Sequence, residues 1–123
     1  MDYADYAAAF SSADLERAGR YYAEDCTLLL PSAPPMEGRE AILRFYGTMF
    51  ERVREHLTIH SFAEDEMGIS VDCTSTFTAI ADAPDFVVAP LKAGESVQTH
   101  VSVRYTLRDG RFCRIEVTRA GAS

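Results

Sequence analysis

A chain of 123 residues, 47% of them hydrophobic, can bury a core of its own without a disulfide or metal, and it is read as one domain over residues 1–123. With 19 acidic against 12 basic residues the net charge is −7, which repels phosphate backbones and anionic lipid headgroups and so excludes nucleic acid and membrane surfaces as expected partners. Cys26, Cys73 and Cys113 form no C-x-x-C pair and are odd in number, which fits neither a zinc site nor a secreted disulfide framework; buried thiols and a cytoplasmic protein are expected.

In chain order, Tyr3, Tyr6, Ala7 and Phe10 recur at the spacing of one helix face and predict a first helix over Asp2 to Ser12. Ser11, Ser12 and Asp14 can cap a second helix, with Leu15, Ala18 and Tyr22 inward and Glu24-Asp25 near its end. Cys26 to Leu30 reads as a short buried strand stopped by "PSAPP", and "APPMEGRE" as the loop entering a long helix. After Gly38, the apolar positions Ile42, Phe45, Tyr46, Met49, Phe50 and Val53 keep a 3.6-residue period.

After Arg54 the period changes to two. Leu57 and Ile59 alternate with His56, Thr58 and His60, and Ile69, Val71, Cys73 and Phe77 alternate with Ser70, Asp72, Thr74, Thr76 and Thr78. Val97, Val101, Val103, Tyr105 and Leu107 form a third alternating run. An Asp109-Gly110 turn then leads into a last strand with Cys113, Ile115 and Val117 on one side. Helices followed by antiparallel strands with one apolar face define an α+β domain, its helices covering one side of a curved sheet. Asp82 to Ser96, with two prolines and a glycine, is a long connection of the kind that forms lids or subunit contacts.

With "YYAEDCTLLLP", "EGREAI" followed by "FY", and "DGRF" in this order, the chain resembles the nuclear transport factor 2-like superfamily. Within it the likeness is to SnoaL-like and ketosteroid-isomerase-like proteins, and it runs from Tyr3 to Arg119. The resemblance implies a cone-shaped fold with an apolar pocket of small-molecule size, and a homodimer through the convex sheet face. The isomerases of that group use a first-helix tyrosine and a strand aspartic acid as an oxyanion hole, and an aspartate after the first strand as base. Alignment through "YYAEDCT" places Tyr6 on the tyrosine position and Leu30 on that of the base; the strand acid falls at Val103, with Val101 and Tyr105 as alternatives of the same parity. None of these can replace a carboxyl group, so ketosteroid isomerase chemistry is expected to be absent unless another carboxylate reaches in.

Parity on the last strand brings Arg119 to the end of the apolar row, where it could bind a ligand carboxylate or polarise a carbonyl together with Tyr6. The alternatives are a frayed strand end with Arg119 in solvent, and a core tyrosine at Tyr6. Phe10, Leu30, Phe45, Met49, Phe77, Val103, Tyr105 and Val117 are the candidate pocket wall, or simply core. His56 and His60 have H-x-x-x-H spacing, but four residues of strand span about 13 Å, too far to share a metal ion. His60 and His100 fall on the polar face, where Arg104, Arg114 and Glu116 could form cross-strand pairs. No cofactor motif is present and no inward carboxylate pair is read. The expected function is binding of a small apolar or aromatic molecule; the alternative is a cyclase, isomerase or dehydratase acting on a polyketide- or steroid-like carbonyl compound with a proton acceptor the pattern does not reveal.

Overall fold

The computed structural model describes residues 1–31 and 33–119; Ser32 of the "PSAPP" stretch and residues 120–123 lie outside the described residues. Helix α1 (Tyr3–Ser11) begins where the Asp2 carboxylate accepts the Asp5 backbone N–H at 3.1 Å. Helix α2 (Leu15–Gly19) is capped in the same way by Asp14, which accepts from the Arg17 backbone N–H at 3.2 Å. The corner between them turns at Ala13, whose φ is 60°.

The expected extension of α2 to Asp25 does not form. Strand β1 (Tyr22–Leu29) starts three residues after Gly19, and Tyr22 is a strand residue. Adjacent Tyr21 and Tyr22 suit a pleated surface better than a helix interior, and the Tyr21 carbonyl accepts the Phe112 N–H at 2.7 Å instead of continuing a helical ladder. "APPMEGRE" is likewise more than a loop, because Met36–Glu37 form a short strand β2 antiparallel to β1. Gly38, at φ 98°, then admits the chain to helix α3 (Arg39–Phe50), which buries Ile42, Tyr46 and Phe50 along one stripe. Val53, which shares the helical period, opens strand β3 (Val53–Glu64).

Strands β4 (Gly68–Ala79), β5 (Ser96–Arg108) and β6 (Arg111–Arg119) complete a mixed six-stranded sheet in the order β2-β1-β6-β5-β4-β3. Only β1 and β6 run parallel, since the crossover through α3 and the other strands returns the chain beside its first strand. The β5–β6 hairpin turns through Asp109 at φ 55° and Gly110 at φ 79°, the left-handed pair that such a two-residue turn requires. A register irregularity near Thr106/Leu107 leaves Phe112 and Arg114 paired and Cys113 between them, so Phe112, not Cys113, is the fully buried member of this strand's inner row. A second irregularity between Ile59 and Ser61 falls at His60. Of the thiols, Cys26 and Cys73 are buried and Cys113 is only half-buried.

Rings fill the space between α1 and the inner sheet face. Phe112 lies 4.8 Å from Tyr6, edge-on, and 4.6 Å from Tyr105. Phe10 meets Tyr46 edge-to-face at 4.9 Å. The outer face carries His60, bonded to Thr74 at 2.7 Å, and His100, bonded to Asp72 at 3.1 Å. Arg104 does not pair with its cross-strand neighbour Glu116; it turns to Asp65, which binds it with both carboxylate oxygens at 3.0 Å while capping the β3–β4 turn. The bidentate geometry and the nearby turn amides explain the preference.

Candidate functional site

The ring cluster does not fill the cone. Beside it, between α1, α3 and the concave face of the sheet, is a cavity of about 200 Å³. Helix α1 contributes Tyr6 and Phe10, and α3 contributes Phe45, Tyr46 and Met49 at the helical spacing that turns them toward the sheet. The inner rows of the strands supply Leu57, Phe77, Val101, Val103, Tyr105 and Val117, and Leu30 follows β1. Phe86, Val87 and Val88 of the 80–95 connection close part of the wall, held there by mutual backbone bonds between Ala83 and Leu91 at 2.8 and 3.0 Å. Each candidate wall residue named from the sequence therefore lies on this one surface. Arg119 is there too, paired with Val101 at the end of β6; it is exposed, so it stands at the rim.

The sequence pattern revealed no proton acceptor for this hollow, and the structure supplies one. Glu55, on β3 opposite Phe77, projects into the cavity. It is half-buried and lines the cavity. Burial in these apolar surroundings raises its pKa from 4.5 to about 7, while the Ser75 hydroxyl, acting as a donor toward the carboxylate, pulls in the opposite direction. No arginine or lysine is ion-paired with it among the described residues. The sequence held the signal: Glu55 shares the parity of Leu57 and Ile59, but a strand boundary drawn after Arg54 left it at the junction. Ser75, 4% exposed and diagonal to Glu55 across the β3–β4 ladder, was hidden by its polar type on an apolar row.

The tyrosines are neutral donors and acceptors. Tyr6 and Tyr22 share a hydrogen bond of 2.8 Å, and Tyr3 and Tyr105 one of 2.9 Å. Burial comes first in raising the pKa of Tyr3 to about 12 and those of Tyr6, Tyr46 and Tyr105 well above 10. None can serve as a base near neutrality. The Cys73 thiol, on the cavity wall, is pushed up to about 11 by burial and stays protonated as well. Glu55 is thus the wall group whose charge changes near neutral pH. No group of three or more His, Cys, Asp or Glu side chains is arranged to hold a metal among the described residues, and no helix is long and apolar enough to cross a membrane.

Helices laid over one face of a curved mixed sheet, with a hollow between them, define the nuclear transport factor 2-like α+β class. The SnoaL-like domain model matches residues 3–115, and the chain belongs to that family. A candidate polyketide cyclase from Pseudomonas putida superposes with a TM-score of 0.81 at 17% identity, over 96% of this chain and 88% of that one. One from Xanthomonas campestris gives 0.78 at 20% identity, over 93% and 84%. An LEH-like epoxide hydrolase from M. tuberculosis gives 0.75 at 15% identity, over 93% and 76%. At these identities the likeness establishes the fold. No curated protein matches the chain.

Proposed function

We propose that the cavity takes up a small, largely apolar or aromatic carbonyl compound and that Glu55 exchanges a proton with it, as in a cyclase, isomerase or dehydratase. The observation that carries this reading is a carboxyl group in an apolar cavity, without a cation beside it, whose pKa lies at about 7. Such a group is partly base and partly acid at neutral pH, so it can remove a proton from carbon and return it, a contribution typically of about 10²–10⁴ in rate. Arg119 at the rim suits an acidic or carbonyl substituent at the outer end of the same molecule. Candidate polyketide cyclases among the structural neighbours agree with a carbonyl substrate.

A decisive experiment follows deuterium entering the carbon beside the carbonyl of 2-tetralone in D2O by proton NMR. The wild-type protein should accelerate exchange over buffer, and Glu55→Gln should remove the acceleration. Exchange at the buffer rate with both proteins would leave binding without turnover. That second reading is favoured by Leu30 and Val103, apolar on the cavity wall where the resembled isomerases carry carboxyl groups. Steroid double-bond isomerisation is expected to be absent, because Glu55 stands on a different strand from either position; robust turnover of a steroid enone would contradict this. The outer face, with Thr74, Thr76 and His100, is proposed to pair with a second copy of the chain, to be checked by light scattering of the purified protein.

A further inference from the structure

We propose that Tyr46, rather than the first-helix Tyr6, is the catalytic hydroxyl of this cavity, and that Tyr46 and Glu55 together select a neutral ketone bearing an enolisable carbon–hydrogen bond. The proposal rests on the acid–base reading of Glu55 and adds the group that must hold the substrate oxygen.

Tyr46 emerges by elimination. The chain has six tyrosines. Tyr3 is bonded to Tyr105, Tyr6 to Tyr22, and Tyr21 donates to the Asp5 carboxylate at 2.5 Å. That leaves Tyr46, whose hydroxyl has no partner among the described residues. Among the described residues no buried side-chain polar atom lacks a partner, which places this hydroxyl against open space, and the space Tyr46 borders is the cavity. Its ring cannot swing away, because Phe10 meets it edge-on at 4.9 Å and Phe45 and Phe50 flank it at 5.1 and 5.8 Å. Tyr46 is therefore a fixed donor aimed into an apolar hollow, the arrangement that stabilises charge developing on a substrate oxygen.

Glu55 lies within electrostatic reach. After burial, its charge is the largest influence raising the Tyr46 pKa, ahead of Tyr22 and Cys26. The groups that feel Glu55 electrostatically or bond to it are Tyr46 from α3, Tyr22 from β1, and Cys73 and Ser75 from β4; all are neutral, and Arg119 stands at the rim. A ligand carboxylate at that depth would meet the Glu55 charge uncompensated, so the inner end of the ligand must be neutral. The step balances without a co-reactant. Glu55 carboxylate takes the proton from the carbon beside the carbonyl, the C–H electron pair becomes the C=C bond of an enolate, and the oxygen accepts a hydrogen bond from Tyr46, which keeps its proton. The Glu55 carboxylic acid then returns the proton to the same carbon or to one conjugated with it.

The test compares Tyr46→Phe, Tyr6→Phe and wild type in the 2-tetralone exchange assay, with kcat and KM separated. Tyr46→Phe should lower kcat about 100-fold, the usual effect of losing one oxyanion donor, with KM changed less than about threefold. Tyr6→Phe removes a hydroxyl already bonded to Tyr22, so its loss of kcat should be far smaller than that of Tyr46→Phe. Because the Tyr46 hydroxyl has no partner among the described residues, Tyr46→Phe should also melt at the wild-type temperature, and a clear drop would refute the elimination. A large kcat loss in Tyr6→Phe with Tyr46→Phe unaffected would overturn the assignment while leaving the role of Glu55 intact. No exchange by wild type would sink both the function and the catalytic role of Tyr46. As a check free of turnover, wild type should prefer 2-naphthol over naphthalene, and Tyr46→Phe should lose that preference; an unchanged preference counts against Tyr46.

Discussion

Replacing Glu55 with glutamine should change how stability depends on pH. The Glu55 pKa is about 7 in the folded chain against an ordinary 4.5. Below pH 4.5 the carboxyl is protonated in both folded and unfolded chains and costs nothing; above about 7 it is ionised in both, and the folded chain bears the whole cost of a charge in the cavity. Between these limits the folded state binds more protons, so the stability of the wild type falls as pH rises. At about 1.4 kcal/mol per pH unit, the window amounts to at most about 3.5 kcal/mol, an upper bound because part of the side chain borders open cavity. The substituted amide cannot ionise. The stability of Glu55→Gln relative to wild type should therefore rise by up to about 3.5 kcal/mol from pH 4.5 to above 7, measured by urea unfolding at fixed pH steps. Asp25 and Asp65, whose pKa values are lowered by Arg108 and Arg104, titrate alike in both proteins and cancel in the difference. A difference that stays flat across the window, or falls with pH, would refute both the buried carboxyl and the proton chemistry built on it.

Phe112→Ala removes a fully buried ring packed on Tyr6 and Tyr105, and should cost about 3–5 kcal/mol in denaturant unfolding. Gly68→Ala would place a methyl carbon 1.9 Å from the Tyr105 carbonyl oxygen, forcing β4 and β5 apart; a loss of about 1–3 kcal/mol or more is expected in the same assay. Arg119→Ala should weaken capture of an acidic aromatic ligand in calorimetric titration while leaving the melting temperature nearly unchanged, since Arg119 is exposed at the end of β6.

The sequence by itself determined the parts of this protein governed by local periodicity. The α3 stripe Ile42, Tyr46 and Phe50, the alternation along β4 and β5, and the Asp109-Gly110 turn were legible because the 3.6- and 2-residue repeats and the left-handed demand of a tight turn are properties of neighbouring residues. Boundaries were less legible. Tyr22 and Val53 fit the helical period yet joined strands, because pairing with distant partners, Phe112 and Ala79, outweighed local pattern. Only the tertiary structure decided the chemistry. Whether Glu55 faces the cavity depends on where β3 begins and on its register with β4. Which tyrosine hydroxyl is left without a partner among the described residues depends on contacts such as Tyr3 with Tyr105, 102 residues apart in the chain. Such pairings follow from how the helices settle on the sheet, a global balance of burial that no short window of residues contains.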